Sequence, residues 1–173
     1  QSFSAIRQKF VESHKKIEHQ VLNKQNIADE IIHMISQSRD RLISWKLSGI
    51  NIFQLTRGLE AVYKKGRDAM KLAYLNPTAE NFHIWRKWAK YFLYHLRLFK
   101  PVWPRVFKPL AKELQTLTEN LGYDHDLAQL KIHTLINNPE GCGEEETLLF
   151  ELIKKRQNEL RSSARLLGER LYL

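Results

Sequence analysis

Lysines and arginines are concentrated in one stretch of the sequence, where their spacing suits contact with a run of negative charges. Between Arg57 and Lys108 there are 12 lysines and arginines against three acids, and the remaining residues carry 16 of each sign. This stretch therefore accounts for the formal net charge of +9. A field of one sign attracts an anionic partner and costs self-repulsion in its absence. The stretch favours binding of a polyanion, with a merely soluble basic surface as the alternative.

Residues 82–99 predict the helix that carries the clearest cationic stripe. At about 100° per residue, six side chains that donate hydrogen bonds fall within an arc of about 100°. They are His83, Arg86, Lys87, Lys90, Tyr94 and Arg97. Aromatic and aliphatic side chains occupy the other side, so we expect this helix in a bundle core with its stripe facing a groove or solvent. Like charges at i,i+4 cost a few tenths of a kcal/mol, and a solvated face usually mixes signs. We therefore interpret the stripe as a binding surface.

The preceding helix carries a second and weaker stripe. Four cations lie within about 80° of one another, and Glu60 falls inside their arc. These cations are Arg57, Lys64, Arg67 and Lys71. Gly66, at the centre of the opposite face, is expected to permit close approach of another helix, and Lys65 is expected on the surface. Because helices joined by a short turn usually pack antiparallel, both stripes are expected to line one groove, with a cation about every 5.4 Å. Such a ladder suits a repeating anion, which arginine contacts through paired hydrogen bonds and lysine as a point charge.

Residues for metal binding or catalysis do not occur in recognisable patterns. The seven histidines include no HExxH motif, and the single cysteine, Cys142, lies between two glycines. No serine or cysteine has a recognisable partner base, and no Walker-type glycine-rich loop occurs. Asp124 is expected to cap a helix and Asp126 to form a salt bridge. We therefore predict a non-enzymatic protein with no cofactor and no bound metal.

Apolar residues recur at helical spacing almost throughout the chain, and no stretch alternates in the manner of a strand. The pattern predicts an all-α, antiparallel bundle of about seven helices in a single unit over residues 1–173. Asn51 and Thr78 are expected to cap the third and fourth helices, and Gly122 is expected to end the fifth. The predicted helices cover about 3–22, 27–45, 51–75, 78–100, 105–121, 124–136 and 144–170. No apolar run approaches the roughly 18 residues of a membrane span, so no membrane contact is expected.

Three stretches taken together resemble the CHAD family, the conserved histidine α-helical domain. They are LEAVYKKGRDAM at 59–70, FHIWRKWAKYFLYHLRLF at 82–99 and LGYDHDLAQL at 121–130. The resemblance runs from about Ile27 to the C-terminus and corresponds to the second half of the family. It implies two pseudo-symmetric four-helix bundles around a basic channel. This chain is expected to be a fragment that supplies the second bundle and the helices before it.

The resemblance also implies a function and a site. It implies binding of inorganic polyphosphate without catalysis, and association with polyphosphate granules. Carried over by position, the contacting residues are the ten side chains of the two stripes named above. Many members carry another arginine at the position of Leu93, so less charge is expected there. The missing first half would supply the other wall of the channel, and self-association is a second way to complete it. The single cysteine fits a cytoplasmic location.

A helical nucleic-acid-binding domain is the alternative function with similar electrostatics. Such a domain would show a base or shape preference, and the sequence contains no helix-turn-helix or zinc-finger motif. A protein-interaction scaffold is a third class, which requires an exposed apolar patch. Competition between polyphosphate and duplex DNA at matched salt distinguishes polyphosphate binding from nucleic-acid binding.

Overall fold

The structure, a computed structural model, describes residues 3–22, 27–45, 51–137 and 143–172. Six α-helices account for nearly all of these residues, and no β-strand occurs among them. The helices are α1 (Ser4–Leu22), α2 (Ile27–Ile43), α3 (Ile52–Leu75), α4 (Ala79–Phe99), α5 (Pro104–Asn137) and α6 (Glu144–Tyr172). The all-α fold class expected from the helical periodicity is therefore confirmed.

The chain forms two compact units, one covering Gln1–Ile50 and the other Asn51–Leu173. In the first unit α2 has no buried residue, and apolar side chains such as Ile32 and Ile35 are exposed. The second unit contains α3–α6 and therefore both predicted cationic stripes. The assignment of residues 1–173 to one domain stays a prediction.

The two helix starts that position these stripes follow from local capping. The Asn51 side chain accepts a hydrogen bond from the Gln54 backbone N–H, and the Gln54 side chain accepts one from the Asn51 backbone N–H. This reciprocal capping box satisfies two backbone donors at the start of α3. The Thr78 hydroxyl accepts a hydrogen bond from the Asn81 backbone N–H at the start of α4. Both predicted caps are confirmed. Residues 138–142, which hold most of the predicted loop before α6, lie outside the described residues.

Helices α3–α6 form a four-helix bundle in which each helix packs against the next and α6 also contacts α3. Neighbouring helices run in opposite directions: His83 of α4 lies beside His125 of α5, and Arg97, further along α4, bonds to the earlier Gln115. The largest fully buried apolar side chains are Trp85, Tyr172, Phe82, Leu96, Leu114, Leu117 and Leu121. The architecture is the one that the family resemblance implies for the second bundle.

Gly66 allows α6 to approach α3 closely. An ideal Cβ at residue 66 would lie 2.6 Å from the hydroxyl oxygen of Tyr172, so a larger residue there would force a shift. The Tyr63 hydroxyl donates a hydrogen bond to the Tyr172 carbonyl oxygen at 3.0 Å and fixes the end of α6 at this point. The close helix approach expected at Gly66 is confirmed.

The predicted break between a fifth and a sixth helix is wrong. The backbone continues through Gly122 as the single helix α5, and Asp124 does not cap a helix. Asp124 is 1 % exposed and accepts two hydrogen bonds from the Arg161 guanidinium of α6, at 2.7 and 3.2 Å. A glycine inside a helix costs about 1 kcal/mol relative to alanine. Leu121 is buried on this helix and Asp124 is paired with α6, and neither contact is visible in local sequence.

Candidate anion-binding groove

One edge of the cationic stripe of α4 lies beside α5. The imidazole rings of His83 and His125 lie 4.6 Å apart between centroids. About four turns further along α4, the Arg97 Nη2 donates a hydrogen bond to Gln115 Oε1 at 3.2 Å. Both contacts come from the flank of α4 that carries the predicted stripe.

Helix α3 packs against a different flank of α4. Tyr63 meets Phe92 edge to face with ring centroids 5.7 Å apart, and Lys65 Nζ lies 4.4 Å from the centroid of the Trp88 ring. On a helical wheel, Phe92 and Trp88 lie about 140–180° from His83. The expectation that the stripes of α3 and α4 line one groove is therefore wrong. Lys65, expected on the surface, is exposed, and its ammonium covers an indole.

Two of the four predicted cations of α3 are neutralised within their own helix. Lys64 pairs with Glu60, and Arg67 pairs with Asp68 at 3.2 Å. The hydrogen bond from Lys64, together with its charge, lowers the pKa of the Glu60 carboxyl, which keeps this carboxylate ionised. Glu60 therefore weakens the α3 stripe, as expected from the sequence, and it does so by forming an ion pair with Lys64.

The other two cations of α3, Arg57 and Lys71, are exposed and form no ion pair within the described residues. Their positions lie opposite the buried Val62 and Ala73 on the helical wheel. The α3 stripe consequently points out of the bundle.

An open groove of about 290 Å³ lies between α4 and α5 and is called here the α4–α5 groove. Its lining residues are Arg86 and Lys90 of α4 and Thr118, Glu119, Gly122, Tyr123 and Asp126 of α5. Only the two α4 residues were expected from the sequence. The spacing of Glu119, Gly122 and Asp126, three and four residues apart, places them on one face of a continuous helix. The expected helix end at Gly122 concealed that signal.

Arg86 lies against the α5 backbone at Gly122. An ideal Cβ at residue 122 would be 3.4 Å from Arg86 Nε and 3.7 Å from Nη2. The Nε is buried and has no hydrogen-bond partner in the part of the chain that the structure describes. A buried donor without an acceptor costs about 1–3 kcal/mol. An acceptor that reached this Nε would recover that cost.

Two carboxylates share the groove with the cations, and neither forms an ion pair with Arg86 or Lys90. Glu119 Oε1 accepts a hydrogen bond from Gln115 Nε2 at 2.9 Å. Asp126 is exposed, and the salt bridge predicted for it is not found among the described residues. The groove therefore places two cations beside Asp126, a carboxylate that forms no ion pair among the described residues.

His83 occupies an intermediate position between core and solvent. Its Nδ1 is buried without a hydrogen-bond partner in the described ranges, and its ring is tilted by 37° against that of His125. His83 lies three residues before Arg86, on the same side of α4. His95, expected on a flank, packs near Gly58, and its Nδ1 lies 2.9 Å from the Tyr91 carbonyl oxygen.

The rest of the α4 stripe is accessible from outside. Lys87, Tyr94 and Arg97 are exposed, whereas Leu93 is 4 % exposed and belongs to the core. The position at which many relatives are expected to carry an arginine is therefore an apolar core position in this bundle. None of the four cations of α4 pairs with a carboxylate in the described part of the chain.

The described residues contain no group of three or more His, Cys, Asp and Glu side chains that could hold a metal ion. Among the same residues, no helix combines the length and apolar character needed to cross a membrane.

The bundle and its groove define an all-helical unit with an outward cationic face. Residues 50–134 match the family model of the CHAD domain. The matched segment includes α3, α4 and most of α5, and thus both stripes and the whole α4–α5 groove. The family assignment made from the sequence is confirmed for this segment. Comparisons with curated proteins and with solved structures found no match.

Proposed function

We propose that this protein binds inorganic polyphosphate, without turnover, along the outward face of α4 and in the α4–α5 groove. The observation that carries the proposal is Arg86, a cation that lines an open groove, forms no ion pair within the described residues and has a buried Nε without an acceptor. Phosphate oxygens suit this donor because guanidinium N–H groups form short, charge-assisted hydrogen bonds with them. Lys90, on the next turn of α4, supplies a second charge to the same groove.

The length of the cationic face supports an extended ligand. Arg86 and Arg97 are separated by about 16 Å along the axis of α4, with Lys87 and Lys90 between them. Their charges are not offset by ion pairs within the described residues, so each remains available to a polyanion. A chain of phosphates can contact several of these cations at once, whereas a single small anion cannot.

Family membership of the matched segment supports the choice of ligand, because the CHAD resemblance implies polyphosphate binding. On this proposal, Arg57 and Lys71 of α3 add outer contacts, while Lys64 and Arg67 must first exchange their carboxylate partners. A cytoplasmic location at polyphosphate granules, and self-association that completes a channel, belong to the same proposal.

The test is a charge-reversal variant of the full chain, with Arg86→Glu, Lys87→Glu and Lys90→Glu combined. We expect loss of polyphosphate binding by calorimetric titration, with helicity by circular dichroism unchanged. The matched control reverses three exposed lysines outside the groove, Lys131→Glu, Lys154→Glu and Lys155→Glu. The control makes the same change in net charge, so a general electrostatic effect would weaken both variants equally.

Salt dependence and competition complete the test. The logarithm of the association constant of the natural chain should fall linearly with the logarithm of the salt concentration. In a variant that lacks one groove cation and still binds, the slope should be smaller by about one. Retained binding in the groove variant would reject the site. Tighter binding of duplex DNA than of polyphosphate at matched salt would favour the nucleic-acid alternative, and release of phosphate from polyphosphate with Mg²⁺ would contradict binding without turnover.

A further inference from the structure

Asp126 is an unexpected residue to find in a groove that binds polyanions. It lines the α4–α5 groove together with Arg86 and Lys90, and it is exposed. A carboxylate at such a position repels a bare polyanion, because like charges a few ångströms apart interact unfavourably by about 1 kcal/mol even in water. A groove used only for free phosphate oxygens would bind more tightly without it.

The other aspartate of this part of α5 and a glutamate earlier in α5 are held by arginines of α6. Asp124, two residues earlier, is held by Arg161, and Glu113 is held by Arg170. Asp126 has no such partner among the described residues. Its side chain is therefore free to bind a group that arrives with the ligand.

The geometry points to the divalent-cation complex of polyphosphate as the form that the groove selects. We propose that Asp126 is a specificity-determining residue whose carboxylate shares a Mg²⁺ ion with phosphate oxygens. Mg²⁺ is commonly bound in this manner, through one or two carboxylates and the phosphates of a substrate, while it keeps several waters. This inference rests on the proposed function and specifies the form of its ligand.

The positions on α5 support a shared cation. Asp126 lies four residues after Gly122, the point at which the Arg86 guanidinium contacts α5. Positions four residues apart lie on one face of a helix, about 6 Å from each other, and Mg²⁺ holds two oxygens that are about 4 Å apart at its usual bond lengths. One phosphate chain can therefore meet Arg86 with one oxygen and a Mg²⁺ ion at Asp126 with another. Glu119, on the Lys90 side, is already bonded to Gln115.

Titration of polyphosphate into the full chain, with Mg²⁺ or with EDTA at equal ionic strength, tests the inference. Without a shared ion, Mg²⁺ competes with Lys and Arg for the phosphates and weakens binding. We expect the opposite sign for the natural chain, with an affinity about threefold or more higher in Mg²⁺. Asp126→Asn should bind more tightly than the natural chain in EDTA and should lose affinity when Mg²⁺ is added. Asp29→Asn in α2 makes the same chemical change outside the groove and should behave as the natural chain.

The outcomes separate this inference from the proposed function. If polyphosphate binds, but Mg²⁺ weakens binding equally in the natural chain and in Asp126→Asn, the role of Asp126 is overturned and the binding function stands. If the Mg²⁺ effect persists unchanged in Asp126→Asn, the ion lies elsewhere and the inference also fails. Absence of binding with and without Mg²⁺ rejects the proposed function itself.

Discussion

Arg86 of α4 lies against Gly122 of α5, with its Nε 3.4 Å from the position that a Cβ at residue 122 would take. The missing side chain leaves the guanidinium in contact with the backbone of a continuous helix. A residue that resembles a helix end in the sequence thus forms part of the groove wall in the folded chain.

Gly122→Ala should separate stability from binding. Alanine is favoured over glycine inside a helix by about 1 kcal/mol, and 3.4 Å is an ordinary contact distance for the added methyl group. We expect the free energy of unfolding to rise by about 0.5–1 kcal/mol in urea denaturation. Polyphosphate affinity should fall, because the methyl group occupies the groove beside Arg86 Nε.

Gly58→Ala is the matched control for this prediction. Gly58 lies inside α3, and a Cβ there would be 3.5 Å from His95 Nε2, also an ordinary distance. This variant should gain similar stability with no change in affinity. Equal affinities of the two variants would contradict a role for the space beside Arg86.

Breaking the ion pair between Asp124 and Arg161 should be strongly destabilising. The carboxylate is almost fully buried, and the guanidinium also lies 4.1 Å from the centroid of the Phe82 ring. Removal of one partner leaves an uncompensated charge in a partly buried site, so Asp124→Asn should cost about 3 kcal/mol of unfolding free energy. The exposed pair of Arg165 and Glu169 provides the comparison, because Glu169→Gln should cost less than about 1 kcal/mol. Similar losses in both variants, measured in urea, would show that burial does not strengthen the Asp124 pair.

Two buried tyrosines should make the bundle sensitive to alkali. Burial raises the pKa of the Tyr172 and Tyr74 hydroxyls above the ordinary value of 10. Below about pH 10 both the folded and the unfolded chain keep these protons, so the free energy of unfolding has its full value. Above it the unfolded chain releases protons that the folded chain retains, so the free energy of unfolding falls as pH rises beyond about 10. Urea denaturation across pH 8–11 measures this loss.

Tyr172→Phe should reduce the alkaline loss and cost about 1 kcal/mol or less at neutral pH. The small cost follows because the Tyr172 hydroxyl has no hydrogen-bond partner among the described residues. Tyr123→Phe is the control, because it removes the hydroxyl of a tyrosine that is 59 % exposed and should leave the pH profile unchanged. An unchanged pH profile in Tyr172→Phe would contradict the assignment.

Helix periodicity and capping were readable from the sequence because both depend on neighbours within a few residues. Asn51 and Thr78 start α3 and α4 where their side-chain oxygens predict, and the stripe from His83 to Arg97 lies on one side of α4. The tertiary structure decided which neighbour that stripe faces. A helical wheel gives the direction of a side chain about its own axis, but the helix found in that direction depends on packing of the whole bundle. Packing also decided the two features of α5 that the local sequence did not predict, the continuation of the helix through Gly122 and the buried ion pair of Asp124. The partner of Asp124 lies on α6, more than 30 residues further along the chain.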